Sequence, residues 1–291
     1  MGLNMDLFFR LSSNSDPEER LEEACLWKSF YDEYGDELDL IPSDVSVDKS
    51  SVLIGRSKNS EYDIIQTNYG LKDDYWNFSV FKEFSNRNFR VLDWSEGVRQ
   101  ARDYQKNSGG VFIKSILRQK HFTHLIRAGD SVFSEIGDMA YSFIDRGDCL
   151  LVQEAKDMSF ERRFFVVDRQ IITHSPVANH ITPLDRIDNA NIESFHFQTP
   201  FSKTPIENIK LTEKFVEAAN EIVSRMPDNH ATFDLCIIEG KVSIIEFNPI
   251  KVGMLGNFAM NTRKIAESSR SLIRDVRKVF ALYDGEQTPK C

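Results

Sequence analysis

The stretch ATFDLCIIEGKVSIIEFNPIKVGMLGN, residues 231–257, decides how this chain is read. Two runs rich in Val, Ile, Phe and Thr flank Glu239-Gly240, the pattern of a β-hairpin. Side chains alternate faces along a strand, so Ile244, Glu246 and Asn248 share one face. Where Asp234 falls depends on the loop. A two-residue turn at Glu239-Gly240 sets Asp234 opposite Ile245, on the other face. A three-residue loop Ile238-Glu239-Gly240, with a left-handed Gly forming a bulge, sets it opposite Ile244 and beside Glu246 and Asn248. We expect the three-residue loop. Two carboxylates and an amide oxygen on one face suit Mg²⁺, a hard cation that takes few protein oxygens and leaves its other positions to phosphate and water. The plain alternative is a hairpin with acids on a solvated face and Asn-Pro as an ordinary turn. Against it stand the apolar neighbours Ile244, Ile245 and Phe247, which leave neither face open to water. An acid there needs a partner.

Working back from the hairpin, Lys114 sits inside the apolar run VFIKS, residues 111–115. A lysine mid-strand either snorkels from a sheet edge or is aimed at an anion. Arg118 and Lys120 follow, so Ser115–Lys120 reads as a basic loop suited to phosphates. It is not a P-loop, because G-x-x-x-x-G-K-[ST] occurs nowhere, and no G-x-G-x-x-G is present. The run LLVQEA, residues 150–155, is an apolar strand ending in polar residues. Such an end presents backbone N–H and C=O groups to a purine edge while Leu and Val side chains sandwich the ring. It also fits a buried strand running into its loop. Glu161 and Arg163 open the next strand on one face, where one accepts from a ribose hydroxyl and the other reaches phosphate oxygens. Arg162 faces the opposite way. His174 and His180 flank Ser175-Pro176 without a third ligand at sensible spacing, which argues against zinc. No G-x-S-x-G elbow or Cys/His nucleophile pairing is visible.

The 291 residues suffice for a sizeable core and for two domains. A hydrophobic content of 41% and a charged content of 28% are those of an ordinary globular protein. No apolar run reaches membrane-span length, and MGLNMDLFF lacks the basic-then-apolar form of a secretory signal. The same start carries Asp6 where myristoylation wants Ser or Thr. Four cysteines without metal-ligand spacing read as reduced thiols in a cytoplasmic protein. The net charge of −9 is concentrated at the start: residues 1–50 hold 13 acids and 4 bases, and the rest balances. That acidity argues against non-specific nucleic-acid binding. Strands at Leu7–Leu11, Val52–Gly55 and Phe89–Leu92 alternate with helices at Pro17–Tyr34, Leu71–Phe84 and Ser95–Gln105, which suggests a small α/β unit with a parallel or mixed sheet. Asn107-Ser-Gly-Gly110 reads as a linker. Beyond it lie strands at Val111–Ser115, Cys149–Gln153, Arg163–Val167 and Gln170–Thr173, a short helix at Met139–Phe143 and a polar, irregular His180–Gln198. The hairpin is framed by helices at Leu211–Met226 and Asn261–Leu282.

Taken in order, the strand lysine, LLVQEA, ERRFFVVD (residues 161–168) and the DLC…IIEFNP pair resemble the ATP-grasp superfamily. Each motif is weak alone; four in this order and spacing are fairly specific, over about residues 111–260. Within the superfamily the chain looks similar to a phage-associated branch, and to the eukaryotic ATP-grasp assembly factor of translation initiation factor 2 in its F-D and E-F-N-P strands. The resemblance implies an α/β (α+β) fold in which two α+β subdomains clasp ATP. The nucleotide-binding region would be residues 111–291, hinged near 150–155, behind an N-terminal α/β domain of residues 1–110 that sets substrate or partner. It further implies that Lys114 and Arg163 contact phosphates. Val152, Gln153, Glu154 and Ala155 would line adenine, and Glu161 would take the ribose. Asp234, Glu246 and Asn248 would bind Mg²⁺, and Lys251 would touch the acceptor. One departure stands out: many members have two lysines on separate strands before the hinge, and here only Lys114 has a clear place, with Arg118 or Lys120 as substitutes.

Such enzymes move the γ-phosphoryl group of ATP to a carboxylate, and an amine then attacks the acylphosphate; no protein nucleophile is needed. An ATP-dependent ligase joining a small-molecule or peptide carboxylate to an amine is therefore the first expectation. Two others stay open: an RNA or DNA strand ligase, using Arg118, Lys120, Arg127, Arg162 and Lys251 along a groove, and a non-enzymatic ATP-binding assembly factor.

Overall fold

The computed structural model describes residues 7–11, 17–42, 45, 52–54, 75–115, 123–136, 149–177, 195–196, 206–207, 209–248 and 260–279. Strand and helix alternate from the start. β1 (Leu7–Arg10) is the middle strand of a parallel sheet, flanked by β2 (Leu38–Ile41) and β3 (Val52–Ile54). Parallel neighbours need a crossover, and α1 (Pro17–Tyr34) provides it between β1 and β2. The helix opens on Pro17, whose missing N–H costs nothing in the first turn. Its Leu26 and Phe30 are fully buried with Phe9 of β1.

A second sheet, order β4-β7-β5-β6, is antiparallel throughout. It comprises β4 (Phe89–Asp93), β5 (Gly110–Ser115), β6 (Thr123–Arg127) and β7 (Cys149–Glu154). The short α2 (Ser79–Phe84) precedes it, and α3 (Trp94–Ser108) covers it through Ala101. Asp93 caps α3 by accepting from the Glu96 N–H, and Gly109 closes it at φ +76°. The linker expected at Asn107–Gly110 is this helix-to-strand turn. β4 and α3, placed before the expected boundary at residue 110, pair with and pack on the strands after it.

The third sheet holds the hairpin. Its order is β13-β12-β8-β9, all antiparallel, from β8 (Ser159–Val167), β9 (Gln170–Pro176), β12 (Ala231–Ile238) and β13 (Lys241–Asn248). β10 (Phe195–His196) and β11 (Ile206–Glu207) form a separate two-stranded ladder. One face of the third sheet packs on α4 (Ile209–Arg225), where Phe164, Phe233, Phe247 and Leu235 meet Phe215, Ala219 and Ile222. Phe165 and Val167 join the N-terminal core, together with Ile265 and Ala266 of α5 (Thr262–Val279). The last helix among the described residues therefore seals the first sheet.

One expectation is corrected. The hairpin loop is a two-residue turn: Ile238 pairs Lys241, and Glu239 and Gly240 have φ of +50° and +80°, the signs a type I′ turn requires. The parity is restored by a bulge further in. Leu235 pairs Ile244 but Asp234 pairs Glu246, leaving Ile245 as the extra residue. Asp234 and Glu246 thus stand directly opposite each other. Cys25 and Cys236 are free thiols. β2 and β6 were not legible as strands; along β6 only Ile126 is buried, so no alternation shows. Met139–Phe143 and most of His180–Gln198 lie outside the described residues.

Candidate active site

The second and third sheets meet where β5 approaches β13. Lys114 of β5 crosses the gap and donates from Nζ to Glu246 Oε2 at 2.7 Å. It is 9% exposed, so it is not a lysine snorkelling from an edge. One strand over, Arg163 holds Asp234 in a two-pronged bond, Nε to Oδ1 at 2.7 Å and Nη2 to Oδ2 at 2.8 Å. The two are direct cross-strand partners, with Asp234 1% exposed. Asn248, two residues beyond Glu246 on the same face, donates from Nδ2 to Glu246 Oε1 at 3.0 Å. Two acids, one amide and two cations therefore converge from four strands.

A second bulge flanks β12 on its other side. Between Leu235 and Ile237 the β8 partners run from Arg162 to Ser159, one residue too many, and Phe160 there has φ +57°. Glu161 sits at this irregularity, exposed at the lip of the cluster. Lost hydration, with Asp234 and Glu246 nearby, pushes its carboxyl up to about 7, while Arg163 works the other way and solvent screens part of the effect. Burial opposes the charge on Glu246 too, but Lys114 and the Asn248 amide outweigh it and hold the carboxyl below its ordinary value. Burial likewise opposes the charge on Lys114; Tyr75 and Glu246 reverse this and raise it. Tyr75 lies with its ring centroid 5.8 Å from the ammonium, and burial pushes its phenol up to about 12.

Among the described residues no group of three or more His, Cys, Asp or Glu is placed to hold a metal ion by itself. Two carboxylates and an amide do suit a hard divalent ion that arrives with phosphate oxygens of its own. The donor set fits Mg²⁺ in that form and not as a closed protein cage. A separate cavity of about 450 Å³, lined by Gln170–His174, Val216, Asn220 and Lys264, shares no residue with the cluster.

Sheet order, the paired acids and the crossing lysine can be set against known structures. D-alanyl-alanine synthetase A from Vibrio cholerae superposes with a TM-score of 0.55 over 94% of this chain and 100% of that one, at 14% identity. The RimK domain ATP-grasp protein from Sphaerobacter thermophilus also gives 0.55, over 90% and 97%, at 12% identity. The fold is ATP-grasp. VanG D-Ala:D-Ser ligase from Enterococcus faecalis gives 0.54 over 94% and 99%, again at 12% identity. No protein-family model matches the sequence, and no curated protein does.

On this ATP-grasp frame the expected residues fall into three groups. Lys114, Glu246 and Asn248 form one bonded set and Arg163 with Asp234 another, side by side where Asp234 faces Glu246 across the strands, with Glu161 at their lip. The hinge residues are engaged differently from the expectation. Val152 is fully buried in the core of the second sheet. Gln153 turns its Oε1 to Arg87 at 2.6 Å. Glu154 accepts from the N–H and Nδ2 of Asn88. The Glu154 and Ala155 N–H groups donate to Asn88 O and Gly110 O, so neither is offered to a purine edge. Arg118, Lys120 and Lys251 lie outside the described residues. Arg162, whose role the sequence left open, reaches His174 Nδ1 at 2.8 Å and Thr212 Oγ1 at 3.4 Å, away from the cluster. Sequence reasoning missed Arg87 and Tyr75. Arg87 is one of two arginines in NRNFR with nothing local to set it apart, and Tyr75 falls inside the helix expected at Leu71–Phe84, where the structure has a 3-10 turn over Tyr75–Asn77.

Proposed function

We propose that this chain is an ATP- and Mg²⁺-dependent ligase that activates a carboxylate as its acylphosphate for attack by an amine. The observation that carries the reading is the Asp234–Glu246 pair opposed by Lys114 and Arg163, on a fold shared with amino-acid ligases. Asp234, Glu246 and Asn248 would hold Mg²⁺, which when bound neutralises charge on the β- and γ-phosphates. Lys114 and Arg163 face the transferring phosphoryl group and stabilise the charge that develops on its oxygens. Both already neutralise the acids, so the cluster carries little net charge before a nucleotide arrives. The γ-phosphorus–oxygen bond to ADP breaks as one forms to the substrate carboxylate oxygen; the amine then displaces phosphate at the acyl carbon. Glu161, with a carboxyl near 7, accepts from a ribose hydroxyl when ionised. The part of residues 1–110 built on the parallel first sheet would choose the acceptor, since β4 and α3 belong to the second sheet, and the protein would work in the cytoplasm.

Hydroxylamine tests this, because it traps acylphosphates as hydroxamates. With ATP, Mg²⁺ and panels of small carboxylates and peptides, the reading expects ADP release and hydroxamate in step, both lost in Glu246→Gln. Release of AMP, or sealing of labelled RNA ends, would refute the phosphoryl-transfer reading in favour of a nucleic-acid ligase. ATP binding without turnover on any panel, together with one co-purifying protein, would favour an assembly factor.

A further inference from the structure

Arg87 belongs to neither sheet of the cluster; it sits in the turn between α2 and β4 and is 8% exposed. Its guanidinium donates from Nη1 to Ile244 O at 2.6 Å and from Nη2 to Ile245 O at 2.7 Å. Nε donates to Gln153 Oε1 at 2.6 Å, and Nη1 also to Ser85 O at 3.1 Å. All four acceptors are neutral, and the Phe81 ring lies 5.8 Å away. Beside it Asn86, at φ +48°, donates to Val242 O and Ser243 Oγ.

Along a regular strand successive carbonyls point to opposite edges, so one group cannot take two in a row. Arg87 takes Ile244 and Ile245 because the bulge turns both outward. Among the described residues β13 is the edge of its sheet, and these carbonyls meet no strand there. Arginine suits them: its planar fork presents rigidly spaced donors, where lysine offers one point charge. Burying a guanidinium among neutral acceptors is costly, so mere edge cover is a poor account of the residue. What the bulge achieves is register. Continuing the two-residue turn without it would set Asp234 opposite Ile245 and move Glu246 to the face packed on α4.

We propose that Arg87 is the positioning residue of the metal site: it stabilises the bulge at Ile244–Ile245 that brings Glu246 opposite Asp234, and through Gln153 it ties that register to the hinge strand β7. The proposal rests on the Mg²⁺–ATP reading above. Deleting Ile245 removes the extra residue and leaves the glutamate opposite Asp234 in a regular ladder, so the deletion makes Arg87 dispensable for register.

The test is a double-mutant cycle read by calorimetric binding of Mn²⁺·ATP and of ATP in chelator, with melting curves on every chain. In the wild-type background Arg87→Ala is expected to weaken Mn²⁺·ATP about tenfold or more and metal-free ATP by less than about twofold, with Arg87→Lys between. In the Ile245-deletion background Arg87→Ala is expected to cost less than about threefold. An equal cost in both backgrounds, or equal losses with and without metal, overturns the proposal, since a purely structural arginine behaves so. Should a deletion chain not fold, guanidinium added to Arg87→Ala below denaturing concentration decides: restored Mn²⁺·ATP affinity supports the role, and none removes it. Folded wild-type protein that takes up no Mn²⁺·ATP fails the reading itself. Wild-type uptake with an indifferent Arg87→Ala fails only this inference.

Discussion

Replacing Lys114 by Met keeps the apolar stem, one atom shorter, and deletes the charge. The ammonium lies 2.7 Å from Glu246 Oε2, which at an effective dielectric of about 20 is a pairwise attraction of about 6 kcal/mol. Desolvation of both ions offsets much of that, and the informative quantity is the cost of stranding one partner, about 3–5 kcal/mol for a buried pair. Glu246 keeps the Asn248 amide at 3.0 Å and its side chain is 24% exposed, so the lower end applies, about 3 kcal/mol. The sign with pH follows from the two proteins. In the wild type the Glu246 carboxyl is depressed, so its contribution is present above the unfolded value and lost as pH falls through the folded one. Without Lys114, burial dominates and raises the carboxyl, so the penalty exists only where Glu246 is ionised. Urea unfolding should show a deficit of about 3 kcal/mol at pH 7.5 that closes toward pH 4. Binding should split in the same variant. Mn²⁺ alone should bind more tightly, because Glu246 no longer has a rival cation, while Mn²⁺·ATP weakens about tenfold. Unchanged stability at pH 7.5, a deficit that grows in acid, or losses of both binding modes would refute the reasoning.

Asp234→Asn keeps shape and one acceptor for Arg163 but removes a charge; Mg²⁺-dependent ATP binding should fall about 100-fold with the melting curve still cooperative, measured by calorimetry. Glu161 has its carboxyl pushed up to about 7, so the stability linked to it is full below the unfolded value and declines as pH rises through 7. Glu161→Gln should flatten that decline in melting scans between pH 5 and 8, and should weaken nucleotide binding at pH 8. At Gly97, the fourth residue of α3, a Cβ would meet Leu150 Cδ1 at 2.9 Å, and Leu150 is fully buried. Gly97→Ala gains at most about 1 kcal/mol of helix propensity, yet urea unfolding should show a net loss of about 1 kcal/mol from overpacking against β7.

The sequence carried the periodic elements and the chemistry that repeats locally. α4 and α5 have apolar positions at helical spacing, whereas β12 is buried on both faces and β13 loses its alternation at Ile245. That residue is where sequence reading stopped. A bulge at Ile245 is stabilised by Arg87, 158 positions earlier in the chain, and no local pattern announces a partner that distant. The gathering of Asp234 with Glu246 was anticipated, but by a longer loop than the one present. Lys114 looked ambiguous because a strand lysine is uninformative until its partner, 132 residues away, is known. The hinge misled for a related reason: apolar-then-polar strand ends look alike whether their donors face a ligand or, like those of Glu154 and Ala155, a neighbouring loop and strand.

The central claim is that acids on adjacent strands hold a divalent ion carried by a nucleotide. Water-proton relaxation of Mn²⁺ measures this directly, since the ion slows its tumbling only when a protein–Mn²⁺–ATP complex forms. The account predicts strong enhancement with wild-type protein and ATP together, little with Mn²⁺ alone, and its loss in Asp234→Asn/Glu246→Gln. Equal enhancement in that double variant, with the fold intact, would contradict it.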